Sequence, residues 1–222
     1  MSRKKLVVSG DSWTAGVNER DKNGKPLFLT DPTKTVNHEF TLWSEYLADM
    51  LGMDVVNVAL GGTGNEFIYN SIIDKLSSAK NVGLAIAMWS DPDREDFVGA
   101  KTVKRDSTIH NFVTSLRRFN AFQNYCESNN IPYIQCSACD TVSNDILSPI
   151  LDHPVFYKMN EGHFYGWPVF RQIGGFNMSD KLNKIDPEMK KLRVSDEDAH
   201  PNTEGHKLIA ELLYNHYVKI YV

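Results

Sequence analysis

The chain has 222 residues, with 24 basic residues against 28 acidic ones and a formal net charge of −4. Hydrophobic residues make up 41% and charged residues 23% of the sequence, proportions that are typical of a globular protein with a sizeable core and that exclude a disordered chain. Because the basic residues are scattered and the net charge is negative, we expect no nucleic acid as a partner.

The first ten residues predict neither an export signal nor a membrane anchor. A basic cluster is followed by a short apolar run, from Leu6 to Val8, which is much shorter than a signal peptide or a membrane span requires. We therefore expect no membrane partner, and a protein that is cytoplasmic, or released or virion-associated.

The cysteines, Cys126, Cys136 and Cys139, are odd in number, which argues against a disulfide framework. Cys136 and Cys139 form a C-x-x-C pair, but a zinc site needs two further ligands at a recognisable spacing. We interpret the pair as reduced thiols at the end of a strand, and we expect no metal and no organic cofactor.

The first strand is predicted over residues 5–9, an apolar run that ends at Gly10. Residues 18–37 are rich in Lys, Asp, Gly and Pro and predict a long loop, of the kind that often lines a site. Residues 40–51 then place apolar side chains mostly three or four positions apart, which predicts an amphipathic helix ended by Gly52.

A second buried strand is predicted over residues 53–60, and the glycine-rich turn at 61–64 ends it. Asn65 follows this turn as the candidate N-cap of a helix. The next apolar run, residues 82–89, predicts a third buried strand. Strand, glycine turn and helix thus alternate through the first half of the chain.

The second half continues this alternation, with a helix predicted over 108–128, a strand over 131–136 and a final helix over 204–218. Almost wholly apolar strands that alternate with helices indicate a mainly parallel sheet covered on both faces, so the fold class is α/β, a three-layer α/β/α sandwich. We interpret residues 1–222 as a single domain, with the aromatic-rich segment 141–194 as an excursion that covers a substrate.

Polar residues follow the strand ends, where ligands bind in open parallel sheets. Ser12 follows the first strand, the glycine turn follows the second, and the stretch from Ser90 to Arg94 follows the third. A further acidic cluster, Asp196 to Asp198, lies just before His200. Taken singly, each motif is also an ordinary turn or helix cap, and the glycine turn alone is compatible with a phosphate cradle.

Together these residues supply the groups of a serine nucleophile. A serine hydroxyl needs an imidazole to take its proton and a carboxylate to orient that imidazole. Ser12, His200 and an acid from Asp196 to Asp198 provide all three. The tetrahedral intermediate also needs N–H donors, for which the amides of Ser12 and Gly62 are the candidates.

The chain resembles the SGNH/GDSL hydrolases, whose flavodoxin-like fold begins with a strand ending in G-D-S. The run from Val7 to Ser12 matches that block, and the resemblance implies Ser12 as the nucleophile. Gly62, with Gly61 as the alternative, matches the oxyanion glycine after the second strand. The Asp198 to Asn202 stretch, which contains His200, matches the block that supplies the acid and the base.

The sequence departs from the family pattern in two places. The family's third block provides an Asn as a further oxyanion donor, but no Asn lies between Met88 and Arg94 here, so Ser90 or Arg94 is the candidate replacement. The acid usually lies three residues before the histidine, where this chain has Glu197. Asp198, two residues before His200, is our choice, and Glu197 is the alternate.

The resemblance implies hydrolysis of a carboxylic ester, such as a short acyl group like acetyl on a carbohydrate or another small molecule. The missing Asn motivates a second hypothesis, a non-catalytic structural or carbohydrate-binding module of the same fold, in a viral particle. A flavodoxin-like binder of flavin or nucleotide is a weaker third hypothesis, because the first turn has only one glycine and carries an acid. Among the other histidines, His163 is the one with a candidate role, because it lies in the aromatic segment, where rings could stack on a sugar or cover an acyl pocket.

Overall fold

A five-stranded, all-parallel sheet forms the centre of the computed structural model, which describes residues 2–16, 40–94, 96, 108–139 and 146–222. In chain order its strands are β1 (Lys5–Gly10), β2 (Asp54–Asn57), β3 (Val82–Trp89), β4 (Tyr133–Ser137) and β5 (Phe164–Tyr165). Their spatial order is β2-β1-β3-β4-β5, the flavodoxin-like arrangement, which confirms the predicted fold class.

Helices cover both faces of this sheet. They are α1 (Ser12–Ala15), α2 (Trp43–Leu51), α3 (Asn65–Ser78), α4 (Thr108–Ser128), α5 (Leu147–Leu151), α6 (Met178–Ile185) and α7 (Thr203–Tyr221). Short 3-10 turns at Phe156–Lys158, Glu161–His163 and Arg171–Ile173 connect β4, β5 and α6. Among the residues described, no helix has the length and apolar content that crossing a bilayer requires.

Side chains alternate across the strands and divide the core into two clusters. One face of the sheet packs against α3, α4 and α5, through Val7, Ala85, Ala87, Trp89, Ile68, Ile72, Phe112, Leu116 and Phe119. The opposite face packs against α2, α6 and α7, through Leu6, Val8, Leu84, Ile86, Met88, Trp43, Leu47, Met178, Leu182, Ile209 and Leu213. This pattern explains why the strands read as almost continuous apolar runs.

The switch in strand order places a crevice where the chain leaves β1 and β3. Strand β1 pairs with β2 on one side and with β3 on the other. The carboxyl ends of β2 and β3 therefore lie on opposite sides of β1. A side chain at Gly10 would collide with the side chain of Thr14, so only glycine lets α1 turn directly off the end of β1. The first turn of α1 therefore lies at the crevice.

Several element boundaries differ from the predictions, and one strand was missed. The helix predicted from residue 40 begins at Trp43, after Leu42 donates its N–H to the Glu45 carboxylate at 2.7 Å. The second strand is shorter than predicted because the Asn57 side chain accepts from the Ala59 N–H and turns the chain. Strand β5 was not predicted, since two residues carry no usable periodicity.

The segment 141–194 is part of the folded core over its described residues, 146–194. Phe164 and Phe170 belong to one core cluster, and Met178 and Leu182 belong to the other. That this segment covers a substrate stays a prediction. The loop predicted over 18–37 lies outside the described residues.

Candidate active site

Ser12 begins α1 and is held there by its neighbour Asp11. The fully buried Asp11 is the N-cap of the helix, and its Oδ1 accepts the Trp13 N–H at 3.0 Å. As the first residue of α1, Ser12 has no acceptor for its own N–H inside the helix. The hydroxyl and the amide of Ser12 thus both lie at the carboxyl end of β1.

His200 reaches Ser12 from the far end of the chain. His200 Nε2 lies 2.7 Å from Ser12 Oγ, and His200 Nδ1 lies 2.5 Å from Asp198 Oδ1. The side chains of His200 and Asp198 are 27% and 26% exposed, so the pair is accessible from the crevice. A carboxylate only accepts, so Nδ1 carries the proton toward Asp198 and the hydrogen-bond network assigns Nε2 as the acceptor for the Ser12 O–H.

The loop over residues 194–200 closes on itself and brings Asp198, not Glu197, into contact with His200. Val194 donates its N–H to the His200 carbonyl at 2.9 Å, and the Ser195 hydroxyl accepts from the amides of Glu197 and Asp198. Asp198 Oδ1 also accepts the His200 N–H at 3.1 Å. The side chain of Glu197 is exposed, and the carboxylate in contact with His200 is that of Asp198.

The glycine turn lies beside Ser12. A methyl group on Gly61 would come within 3.6 Å of Ser12 Cβ, and Gly62 has a φ of +82°, which favours glycine. Asn57 fixes this turn relative to α1, because its Nδ2 donates to the Thr14 carbonyl at 2.7 Å while its Oδ1 accepts the Ala59 N–H. The sequence carries no signal that singles out Asn57 for this role, because its partner Thr14 lies 43 positions away.

Ser90 and Arg94 both contact the buried carboxylate of Asp11. Ser90 Oγ donates to Asp11 Oδ2 at 2.7 Å, and Arg94 Nη1 donates to the same oxygen at 3.2 Å. The proposed use of Ser90 as an oxyanion donor needs correction, because its single hydroxyl proton is already directed to Asp11. Arg94 has five N–H donors and its side chain is 38% exposed.

Asn65 does not cap α3, which corrects a second prediction. The N-cap is Gly64, and Asn65 turns inward, where its Nδ2 donates to the Ser90 carbonyl and its Oδ1 accepts the Ser90 N–H. The carboxylate of Asp96 serves the helix end instead, accepting the amides of Gly64 and Phe67 at 2.5 and 2.7 Å. A side chain at Gly64 would collide with the Arg94 carbonyl, so glycine is required there.

A phosphate cradle at this turn is disfavoured by the same contacts, since the Gly64 amide already binds a carboxylate. Within the described ranges, no group of three His, Cys, Asp or Glu side chains is arranged to hold a metal ion. No disulfide joins any of Cys126, Cys136 and Cys139. Burial raises the pKa of the Cys136 thiol well above its ordinary value, which keeps it protonated.

His163 lies away from Ser12, at the amino end of the sheet. Its ring stacks on Tyr133, the first residue of β4, with centroids 4.7 Å apart, and it contacts Tyr221. Burial lowers the pKa of His163, and the charge of Glu127 partly opposes this. His163 therefore packs among aromatic rings, whereas Ser12, His200 and Asp198 are joined by hydrogen bonds at the carboxyl end of the sheet.

Comparison with solved structures finds proteins that share the overall fold at low sequence identity. A lipolytic protein of the G-D-S-L family from Desulfitobacterium hafniense DCB-2 has a TM-score of 0.55 at 18% identity, over 96% of this chain and 99% of that one. The chain has the GDSL hydrolase fold. LAE5, an α/β hydrolase enzyme from the metagenome of Lake Arreo, Spain, has a TM-score of 0.58 at 13% identity, over 100% of this chain and 98% of that one.

A carbohydrate esterase with divergent catalytic and non-catalytic binding functions is a further structural neighbour. Its TM-score is 0.54 at 13% identity, and the match covers 100% of this chain and 66% of that one. No protein-family model and no curated protein matches this sequence. The likeness to these structures, at 13–18% identity, therefore lies in the fold.

Proposed function

We propose that this protein is a serine-dependent hydrolase of carboxylic esters. The proposal rests on one observation, the unbroken series of hydrogen bonds from Ser12 Oγ through His200 to Asp198. The 2.7 Å distance between Ser12 Oγ and His200 Nε2 lies within hydrogen-bond reach for a nucleophile and its base, and Asp198 contacts the other ring nitrogen, as the group that orients the base does. The GDSL hydrolase fold supports the same assignment.

In the proposed reaction, Ser12 Oγ attacks the ester carbonyl as its proton passes to His200 Nε2. Asp198 holds the His200 ring by accepting from Nδ1 and stabilises the imidazolium that forms. His200 then returns the proton to the departing alkoxide, so the alcohol leaves and an acyl group remains on Ser12. Water, deprotonated by His200, releases the acid and restores the serine.

The oxyanion of the tetrahedral intermediate needs donors on the side of Ser12 away from His200. We assign this role to the N–H groups of Ser12 and Gly62, with Gly61 as the alternative to Gly62. Arg94 is the candidate third donor in place of the absent Asn. The guanidinium is held near Ser12 by Asp11, and it would stabilise the negative charge electrostatically.

A short acyl group, such as acetyl on a carbohydrate, is the substrate class that we favour. The support is the fold shared with a carbohydrate esterase. On a series of p-nitrophenyl esters, we expect kcat/KM to be highest for the acetate and to fall as the acyl chain lengthens. A maximum at octanoate would reject the short-acyl assignment while leaving the hydrolase assignment intact.

The hydrolase assignment is tested by p-nitrophenyl acetate hydrolysis with the wild-type protein and the Ser12→Ala variant. We expect the variant to lose activity by about a thousandfold or more, because the nucleophile is removed. Ser77→Ala, which removes an exposed hydroxyl on α3, is the matched control and should keep the wild-type rate. Equal rates for wild type and Ser12→Ala would remove the mechanism.

A non-catalytic binding module is the second candidate. It is favoured by the absence of the third-block Asn and by the contact of Ser90 with Asp11, which together leave fewer oxyanion donors. This candidate predicts that a folded wild-type protein has no hydrolytic activity on any ester of the series, and that it binds a glycan in a titration. Turnover that depends on Ser12 would reject it.

A further inference from the structure

Arg193 is a buried cation next to the candidate active site that the mechanism does not use. Its exposure is 2%, although arginine is almost never fully buried unless its charge is paired or its donors are bonded. Burial lowers the pKa of Arg193 to about 10, a shift that the charge of Asp186 opposes, so the guanidinium remains charged near neutral pH. Because burying an arginine side chain is energetically unfavourable, we expect Arg193 to have a specific role.

The guanidinium contacts both halves of the site. Its Cζ lies 4.9 Å from the ring centroid of Trp13, the residue directly after Ser12. Its Nη1 donates to the carbonyl of Ala199, the residue directly before His200, at 3.0 Å. One planar cation therefore connects the nucleophile's helix with the loop that carries the base.

Helix α6 holds the other side of the guanidinium. Nη2 donates to Asn183 Oδ1 at 2.7 Å and to Ser179 Oγ at 3.0 Å, with a longer contact to the Ser179 carbonyl. These acceptors orient the fork so that Nη1 points at Ala199 while Cζ lies over the Trp13 ring. A lysine ammonium has neither the planar face nor the fork that this arrangement uses.

The backbone of Arg193 fixes the same loop at its other end. Arg193 forms an antiparallel bridge with Pro201, and its carbonyl accepts Asn202 Nδ2 at 2.8 Å. His200 therefore lies between Ala199, whose carbonyl accepts from the Arg193 side chain, and Asn202, whose side chain donates to the Arg193 carbonyl. Sequence reasoning did not single out Arg193, since it lies in no motif.

We propose that Arg193 is a positioning residue that sets the distance between Ser12 Oγ and His200 Nε2. The inference rests on the proposed function, because that distance matters only if a proton passes between these atoms. Displacing reacting groups by about 1 Å costs on the order of a hundredfold in rate. Loss of the guanidinium should therefore lower kcat by about ten- to a hundredfold with KM nearly unchanged.

The test compares Arg193→Met and Arg193→Lys with a control, Arg171→Met. Arg171 pairs with Asp180 on the same helix α6, but its side chain is 58% exposed. For each variant, kcat and KM are measured on p-nitrophenyl acetate well below its melting temperature, and the His200 Nδ1–H resonance is recorded by NMR. We expect both Arg193 variants to lose kcat and to shift this resonance, and Arg171→Met to do neither.

Wild-type kcat and an unmoved resonance in folded Arg193 variants would overturn the proposal, as would an equal loss in Arg171→Met. If Arg193→Met fails to fold, Arg193→Lys and Asn183→Ala decide, the latter removing one acceptor of the guanidinium. If the wild-type protein hydrolyses no ester, the proposed function fails separately. The His200 resonance then still decides whether Arg193 positions that ring.

Discussion

The two ends of the sheet each bring together a histidine, a hydroxyl and a carboxylate, but in different arrangements. At the carboxyl end, hydrogen bonds join Ser12, His200 and Asp198 in series. At the amino end, the Tyr133 hydroxyl donates to Glu127 Oε1 at 2.7 Å, while the His163 ring stacks on the Tyr133 ring. The same functional groups are thus present twice, but only one set forms a path for a proton from the hydroxyl to the imidazole.

The amino-end cluster, defined as Glu127, Tyr133, His163, His216 and Tyr221, is shaped by burial. Burial raises the pKa of the tyrosines and lowers the pKa of the histidines in this cluster. These shifts disfavour the charged forms, as expected for groups packed among aromatic rings. Perturbed pKa values in this cluster therefore reflect burial, and our assignment of the candidate active site rests instead on the order of donors and acceptors at the carboxyl end.

The largest expected difference between the two ends comes from replacing their histidines. We expect His200→Ala to lower kcat on p-nitrophenyl acetate by about a thousandfold or more, because Ser12 loses its base. His163→Phe keeps the ring that stacks on Tyr133 and should leave kcat within about twofold of wild type. A large loss of kcat in folded His163→Phe would contradict the proposed difference between the two ends.

The carboxylates provide the next contrast. Asp198→Asn should lower kcat by about a hundred- to ten-thousandfold, because an amide at this position disturbs the tautomer and orientation of His200. Glu127→Gln at the amino end and Glu197→Gln in the loop should both keep kcat within about threefold. A loss in Glu197→Gln that matches Asp198→Asn would return the role of the acid to Glu197.

The residues that contact Asp11 give a smaller effect. We expect Arg94→Met to lower kcat by about a hundredfold, the usual cost of losing an oxyanion donor. Ser90→Ala removes one hydrogen bond to a buried carboxylate and should cost no more than about tenfold. Arg94→Lys keeps a charged N–H donor beside Asp11, so full activity in that variant would show that the positive charge, and not the planar fork of the guanidinium, is what the site requires.

The smallest effect concerns stability in acid. Burial, with the nearby charges of Lys219 and His163, lowers the pKa of His216 from its ordinary 6.5 to about 4. Between these values His216 binds a proton in the unfolded chain but not in the folded one. Its contribution to the free energy of unfolding is therefore fully present above pH 6.5 and is lost as the pH falls toward 4. The melting temperature of wild type should therefore drop more between about pH 7 and pH 5 than that of His216→Phe.

Similar slopes of melting temperature against pH for wild type and His216→Phe would contradict the burial argument for the amino-end cluster. Activity measured at pH 7 is the control. His216 lies near the carboxyl end of α7, whereas His200 lies just before the amino end of that helix, so kcat should not change. A variant with unchanged kcat and a flatter acid profile would separate the two ends of the sheet.

Four of the five strands in the described residues could be predicted because each is a nearly continuous apolar run between glycine or polar turns, and the resemblance to the SGNH/GDSL hydrolases implied their flavodoxin-like order. The contact of Ser12 with His200 followed from placing motifs at strand ends, although these residues are 188 positions apart. Strand β5 was not predictable, since two residues have no periodicity. The role given to Ser90 was wrong because a motif position does not reveal which acceptor takes a hydroxyl proton.

Long-range side-chain contacts also could not be predicted from the sequence. Asn65 carries the signature of an N-cap, but its amide bonds to Ser90, and the helix end is served by Asp96. Arg193 belongs to no pattern, since its partners come from α1, α6 and the His200 loop. Such contacts depend on how elements pack, and local propensity does not encode them.

The central claim, that His200 activates the Ser12 hydroxyl, is tested most directly with a fluorophosphonate probe, which forms a covalent adduct with an activated serine. Intact-mass measurement and peptide mapping should show a single adduct on Ser12 in the wild-type protein and none in folded His200→Ala. An unlabelled wild-type protein, an adduct on another serine, or equal labelling without His200 would contradict the account.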